Sequence, residues 1–405
     1  MAVNFQVLET YHAVEGVRLG ITQAHVRYKD RDDMVIIELA EGAQIAGVFT
    51  LNAFCAAPVQ LCKQHLKQGA PRYLLINTGN ANAGTGKSGI SNAIRTCELL
   101  AQATGCKVEE VLPFSTGVIG EPLKVTAFEQ GIPAALAALT ADGWARAAKG
   151  IMTTDTLPKG YSKQFTVAGK KAVITGISKG AGMIMPNMAT MLGFIATDAA
   201  VSKDILQQWC KQLADSSFNR ITIDGDTSTN DSCMLIATGK GELKVTDAQS
   251  ADAKALFAEL KEAFQSLAHA IVRDGEGATK FVTIKVSGAA SSKEALDVAY
   301  TVAHSPLVKT AMFASDANWG RILAAVGRSG VKDFNLDLVQ IYLDDVQIVK
   351  DGGRYDGYNE KDGAAVFALS EFSVRIELGR GDAQEQLWTC DFSHDYVTIN
   401  ANYRS

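Results

Sequence analysis

Residues 180–197 read GAGMIMPNMATMLGFIAT, eighteen positions without a single charge. A run of that length raises the question of a membrane span. Gly180, Gly182 and Gly193 interrupt it, as do Pro186 and Asn187, and Thr190 and Thr197 would need hydrogen-bond partners inside lipid. It reads instead as buried backbone in a globular domain, where glycine-rich uncharged chain packs against something important. Around it the 405 residues alternate apolar runs and helical periods, the pattern of a mixed α/β protein.

Strands are expected near 34–39 (MVIIEL), 72–77 (RYLLIN), 164–177 and 220–238. Helices are expected over 88–104, 202–214 and 251–272; the last carries Leu256, Leu260, Phe264, Leu267 and Ile271 on one stripe. After Lys280 the texture resets. A strand (FVTIKVSG) leads to a helix opened by Ser291 and Glu294 at capping-box spacing, then strands at 337–349, 372–378 and 386–390. A domain boundary is placed near 282.

The composition is 47% hydrophobic and 20% charged, with net charge -5, so no basic footprint invites nucleic acid. The opening MAVNFQVLETYHAVEG carries acidic residues and lacks the basic-then-apolar order of a signal peptide. Seven scattered cysteines without CxxC or zinc spacing read as reduced thiols of a cytoplasmic protein, with no metal site.

Three short motifs compete for the function. Ala81–Ser88, ANAGTGKS, fits a loose Walker pattern, and LVQIYLDD (338–345) passes as a Walker B strand, so a P-loop nucleotide-binding protein is the strongest rival. Asn-rich turn chemistry explains the same loop without a nucleotide. Gly176-Ile-Ser178-Lys-Gly180 matches G-x-S-x-G, yet Gly182 and Pro186 deny it the helix that a nucleophile elbow needs. Asp224, Asp226 and Asp231 suggest a metal loop, but Thr229 and Leu235 stand where an EF-hand wants Gly and Glu. A turn rich in side-chain-to-backbone hydrogen bonds is the better reading.

Eight blocks, taken together, resemble the ornithine acetyltransferase family, also called glutamate N-acetyltransferase (ArgJ type). They are NTGNANAGTG (77–86), PFSTGVIGEPL (113–123), IMTTDTLPK (151–159), the segment from Lys179 through the uncharged run, DGDTSTNDS (224–232), RDGEGATKF (273–281), FASDANWGR (313–321) and YVTINANYRS (396–405). They stand in family order and span nearly the whole chain.

The resemblance implies a layered sheet-and-helix catalytic domain over 1–282, related to self-cleaving N-terminal-nucleophile amidases. A smaller α/β domain over 283–405 would follow, its tail closing the active site. It implies cleavage between Ala189 and Thr190 into two chains that stay associated, by analogy as a heterotetramer of two α and two β. Thr190 would then be the nucleophile, and Thr116 and Gly117 the oxyanion hole. Lys179, Thr153 or Thr154, Glu276, Asn400 and Ser405 would bind substrate together with Thr190. The implied reaction is ping-pong, from N-acetylornithine to glutamate, without a cofactor; acetyl-CoA stays open as a second acetyl donor. A self-cleaving aminopeptidase or amidase, with water as acceptor, is the nearer alternative.

The chemistry fits on physical grounds. A threonine hydroxyl is a poor nucleophile without an adjacent base. A threonine at a chain start gains an α-amine of pKa about 7.7–8.0, against about 10.4 for lysine, so roughly a tenth of it is free base at neutral pH.

Overall fold

The computed structural model describes residues 2–185 and 191–402 and resolves the chain into two units. One comprises residues 6–219 and 226–271; the other comprises 1–5, 220–225 and 272–405.

The larger unit holds strands β1 (Val17–Thr22), β2 (Met34–Leu39), β3 (Gln44–Phe49), β4 (Tyr73–Asn80), β5 (Val111–Val118), β6 (Lys159–Val167), β7 (Lys170–Lys179), β8 (Leu192–Thr197), β9 (Ala200–Val201), β10 (Ser232–Ala237) and β11 (Lys244–Val245). Its helices are α1 (Ala57–Gln68), α2 (Gly86–Thr104), α3 (Val125–Ala137), α4 (Trp144–Gly150), α5 (Lys203–Asp215) and most of α6 (Ala251–Arg273). One sheet has the order β1-β2-β4-β5 and a second the order β3-β10-β8-β7-β6. A shared apolar core joins them: Leu19, Val35, Ile37, Leu74, Ile76 and Phe114 of the first sheet meet Ile177, Phe194, Met234 and Ile236 of the second. Phe114 and Phe194 touch edge to face at 5.1 Å.

The other side of the first sheet buries Met34, Ile36 and Leu75 under Leu61 of α1, Cys97 and Leu100 of α2 and Phe128 of α3. Both faces of β4 are therefore buried, consistent with the unbroken apolar run Tyr73–Ile76 that opens it. On the second sheet, α5 packs against β3 and β10, and a side chain at Gly176 of β7 would run into Leu267 of α6. The result is a helix–sheet–sheet–helix layering, a specific form of the mixed α/β, layered sheet-and-helix domain that the resemblance implied.

The smaller unit is built on one six-stranded sheet of β12 (Phe281–Ala289), β13 (Gln340–Leu343), β14 (Val346–Lys350), β15 (Gly353–Arg354), β16 (Glu371–Glu377) and β17 (Ala383–Cys390). Its order is β15-β14-β13-β16-β12-β17, with only β12 and β16 parallel. Helices α7 (Ser292–Ala303), α8 (Pro306–Phe313), α9 (Trp319–Gly327) and α10 (Glu360–Phe367) contribute to its apolar core, and α11 (His394–Ala401) follows. The Ser291 hydroxyl accepts from the Glu294 N–H at 3.2 Å, capping α7 as its spacing predicted.

Three expected strands need correction. The run 164–177 is a hairpin of β6 and β7, because Ala168 and Gly169 take positive φ (48° and 83°) and turn the chain. The run 337–349 is likewise a hairpin, turning at Asp344 (φ 47°) between β13 and β14. Only 232–237 of the run 220–238 is a strand. Its first half is a 3-10 turn and irregular chain, where Ile221 bridges to Trp388. Among the described residues no helix is long and apolar enough to cross a membrane.

Candidate active site

The parallel pair β4 and β5 ends in two glycine turns that lie against each other. Gly117 adopts φ 135°, and a Cβ there would stand 2.3 Å from the Gly79 carbonyl carbon, so no side chain fits. The turn is fastened from three sides. The Ser115 hydroxyl donates to Asn77 Oδ1 (2.6 Å), the Asn77 amide donates to the Asn80 carbonyl (2.9 Å), and the Asn230 amide donates to the carbonyls of Ala81 (2.6 Å) and Ser115 (2.9 Å). Thr116, 5% exposed, is thereby held in place.

Lys179, the last residue of β7, is only 3% exposed, and its ammonium donates to Thr116 Oγ at 3.1 Å. Two residues separated by 63 positions thus share one buried centre. The hydroxyl accepts from a cation, so its own proton is left to donate elsewhere.

Asp155, fully buried, ties the neighbouring segments to this centre. Its Oδ1 accepts from Gly180 N–H (2.7 Å) and from the buried Lys159 ammonium (2.7 Å), and its Oδ2 accepts from Thr153 N–H (2.9 Å). Burial alone would raise its pKa. The ammonium groups of Lys159 and Lys179 outweigh burial and hold the carboxyl below the ordinary range. Thr153 and Thr154 are both half-buried, and only the backbone of Thr153 engages this carboxylate.

A second carboxyl, Asp231, is also fully buried. It accepts from Met191 N–H at 2.8 Å. Here burial wins and pushes the pKa well up, against Met191 N–H, Lys179 and Ser228, which favour the charged form. Sequence reasoning passed over both carboxylates: Asp155 sat inside a block read for its threonines, and Asp231 inside a turn. No local signal singled them out: Asp155 lies among threonines with Lys159 nearby, and Asp231 lies in a run of polar residues.

In the smaller unit the 274–280 turn and α11 are interlocked. Asn400 donates to Glu276 Oε2 at 2.8 Å, and Glu276 is 6% exposed. The Ser393 hydroxyl donates to the Gly277 carbonyl (2.6 Å), while Asp391 Oδ1 accepts from the N–H groups of Thr279 (2.8 Å) and Lys280 (2.9 Å). Ala189, Thr190 and Ser405 lie outside the described residues.

The rival motifs take ordinary structural parts. Ser178 is buried inside β7, and the described residues that follow, 180–185, form no helix. Asn82, in the Walker-like loop, is spent on Gly89 and Thr85 (3.0 Å each), and Asp344 on Ser373 N–H (2.8 Å). In the 226–231 turn, Asn230 N–H donates to Ser228 Oγ (3.1 Å) and Thr229 Oγ to Asn230 Oδ1 (2.6 Å), as a hydrogen-bonded turn should.

Stacked sheets with a buried lysine–hydroxyl pair and a glycine turn at their strand ends form a layered α/β centre whose fixed donors suit acyl chemistry. The chain belongs to the ArgJ family, whose sequence profile matches residues 18–405. It is 58% identical over 406 residues to the arginine biosynthesis bifunctional protein ArgJ of Pseudomonas syringae pv. tomato, with 100% of both chains covered. The protein of the same name from Pseudomonas fluorescens is 57% identical over 409 residues, again across 100% of both. A crystal structure of arginine biosynthesis bifunctional protein ArgJ from Bacillus halodurans is 38% identical, with a TM-score of 0.50. The match covers 53% of this chain and 100% of that one.

Proposed function

We propose that this acyltransferase of arginine biosynthesis carries acetyl from N2-acetyl-L-ornithine to L-glutamate through an ester on Thr190, after cleavage of the Ala189–Thr190 bond. The observation that carries the reading is the buried contact of Lys179 with Thr116 beside the Gly117 turn. Attack on an amide makes an oxyanion, and fixed donors must already face it. Thr116 Oγ accepts from an ammonium, so its O–H is free to be one donor, and Gly117 N–H is the other. The Lys179 ammonium is a buried cation of the kind that suits a substrate α-carboxylate.

Thr190 supplies the oxygen, and its freed α-amine takes the proton. The carbonyl carbon of the acetyl amide bonds to Oγ, ornithine leaves with the proton, and the amine of glutamate then attacks the ester. Glu276, oriented by Asn400, is the partner for ornithine's side-chain ammonium; Thr153 and Ser405 add hydroxyls. The two chains, 1–189 and 190–405, stay together as a cytoplasmic heterotetramer, and no cofactor or metal takes part. Acetyl-CoA remains open as a second donor.

Mass spectrometry of purified protein tests the cleavage: two chains, the second beginning at Thr190, are expected. Thr190→Ala is expected to stay intact and inactive. A fully active enzyme whose 189–190 bond is unbroken would overturn the mechanism.

A further inference from the structure

Glu276 stands between two glycines in the turn Asp274-Gly275-Glu276-Gly277. Glycine backbone has the widest choice of conformations, so such a turn does not hold a side chain in place by itself. Gly277 takes φ 69°, and a Cβ there would stand 2.6 Å from both Ser393 Oγ and Tyr396 N. The place of Glu276 is therefore set by whatever fastens the turn from outside.

The fastening begins where a strand ladder ends. β12 and β17 pair antiparallel with Phe281 opposite Cys390, so Lys280 and Asp391 stand just beyond the last pair. There the Asp391 carboxylate, 1% exposed, takes over from the ladder. Its Oδ1 accepts from the N–H groups of Thr279 and Lys280, and its Oδ2 accepts from the Thr279 hydroxyl at 2.5 Å. Hydrogen bonds to an ionised acceptor are stronger than neutral ones. The strand end that carries Asp391 is itself anchored. The fully buried Lys309 ammonium donates to the Cys390 carbonyl and to Thr389 Oγ (2.9 Å), and it stands 4.6 Å from the Phe392 ring centre. Asp391 thus ties a rigid strand end to a pliable turn.

Resting on the reading above that Glu276 holds the donor's side-chain ammonium, we propose that Asp391 is the positioning residue for Glu276 and sets the side-chain length accepted in the acetyl donor. A carboxylate fixed in space meets an ammonium at one distance along the side chain and misses one carried a methylene further out. A carboxylate on a loosened turn follows either.

The test compares N2-acetyl-L-ornithine with N2-acetyl-L-lysine, one methylene longer, by kcat/KM for transfer to glutamate. Asp391→Asn keeps the shape and an oxygen for both N–H groups but loses the charge. Its KM for N2-acetylornithine is expected to rise about 10-fold, with kcat and melting temperature little changed. Its preference for the shorter donor is expected to shrink by a similar factor. Thr279→Val takes one hydrogen bond away at an exposed residue, and the preference is expected to shrink about threefold. A wild-type enzyme that uses both donors equally overturns the proposal. So does an Asp391→Asn enzyme that keeps the wild-type preference, or one in which only kcat falls. Should Asp391→Asn not fold, Thr279→Val decides alone, and an unchanged preference there is fatal to the idea. Glu276→Gln assayed with N2-acetylnorvaline, which lacks the ammonium, separates the two readings. If that variant favours N2-acetylornithine over N2-acetylnorvaline as strongly as wild type does, the role of Glu276 falls. If it loses that preference while Asp391→Asn keeps its choice of length, only the role of Asp391 falls.

Discussion

Charge burial at single residues organises the larger unit. Asp155 and Asp231 are both removed from solvent, yet they are driven in opposite directions. Two ammonium groups and two backbone N–H donors keep Asp155 charged. At Asp231 desolvation prevails over the Met191 N–H, a lysine that also serves Thr116, and the Ser228 hydroxyl. Thr116 is the residue at which the catalytic reading is most exposed to test. Thr116→Val keeps the shape and removes the hydroxyl. Acetyl transfer is expected to lose about 10²–10³ in kcat, or about 2.7–4 kcal/mol, with KM little changed. Steady-state assays with N-acetylornithine check it. The family blocks implied that Lys179 and Thr116 serve one site, but the contact between them came only with the structure. Nothing local in PFSTG or ISKG says that residues 63 positions apart share a buried contact.

At the scale of elements, periodicity located the long pieces and missed the tight turns. Helices α5 and α6 begin and end within a residue of the expected 202–214 and 251–272, because burial of one apolar face marks them in the sequence. The hairpins β6–β7 and β13–β14 read as single strands, although Gly169 and Asp344 are residue types that take positive φ readily. The end of α7 carries a prediction of its own. His304, half-buried there, has its Nε2 at 3.0 Å from Thr222 Oγ, and burial, followed by the Lys309 and Arg328 charges, lowers its pKa from 6.5 to about 4. The unfolded chain binds a proton below about pH 6.5 that the folded chain refuses until about pH 4. Stability present above that window is therefore lost as pH falls through it, by on the order of 3 kcal/mol. Denaturant titrations of His304→Asn against wild type are expected to show a shallower acid limb in the variant.

For the whole molecule, the test is whether the acetyl ester waits for an amine. With N-acetylornithine and no glutamate, ornithine release is expected to stop after about one equivalent per site. Adding glutamate should restart it in step with N-acetylglutamate formation. Continuous release without glutamate would mark a hydrolase instead. The sequence by itself determined the mixed α/β class, the long helices and the family, because periodicity, turn chemistry and ordered blocks are written along the chain. Only the tertiary structure decided how the two sheets share one core, which runs fold back as hairpins, and which carboxylates stay charged. Those outcomes depend on contacts between distant segments and on the solvent those contacts exclude. A carboxyl's charge follows from the dielectric and the donors around it, and no linear reading of neighbours contains either.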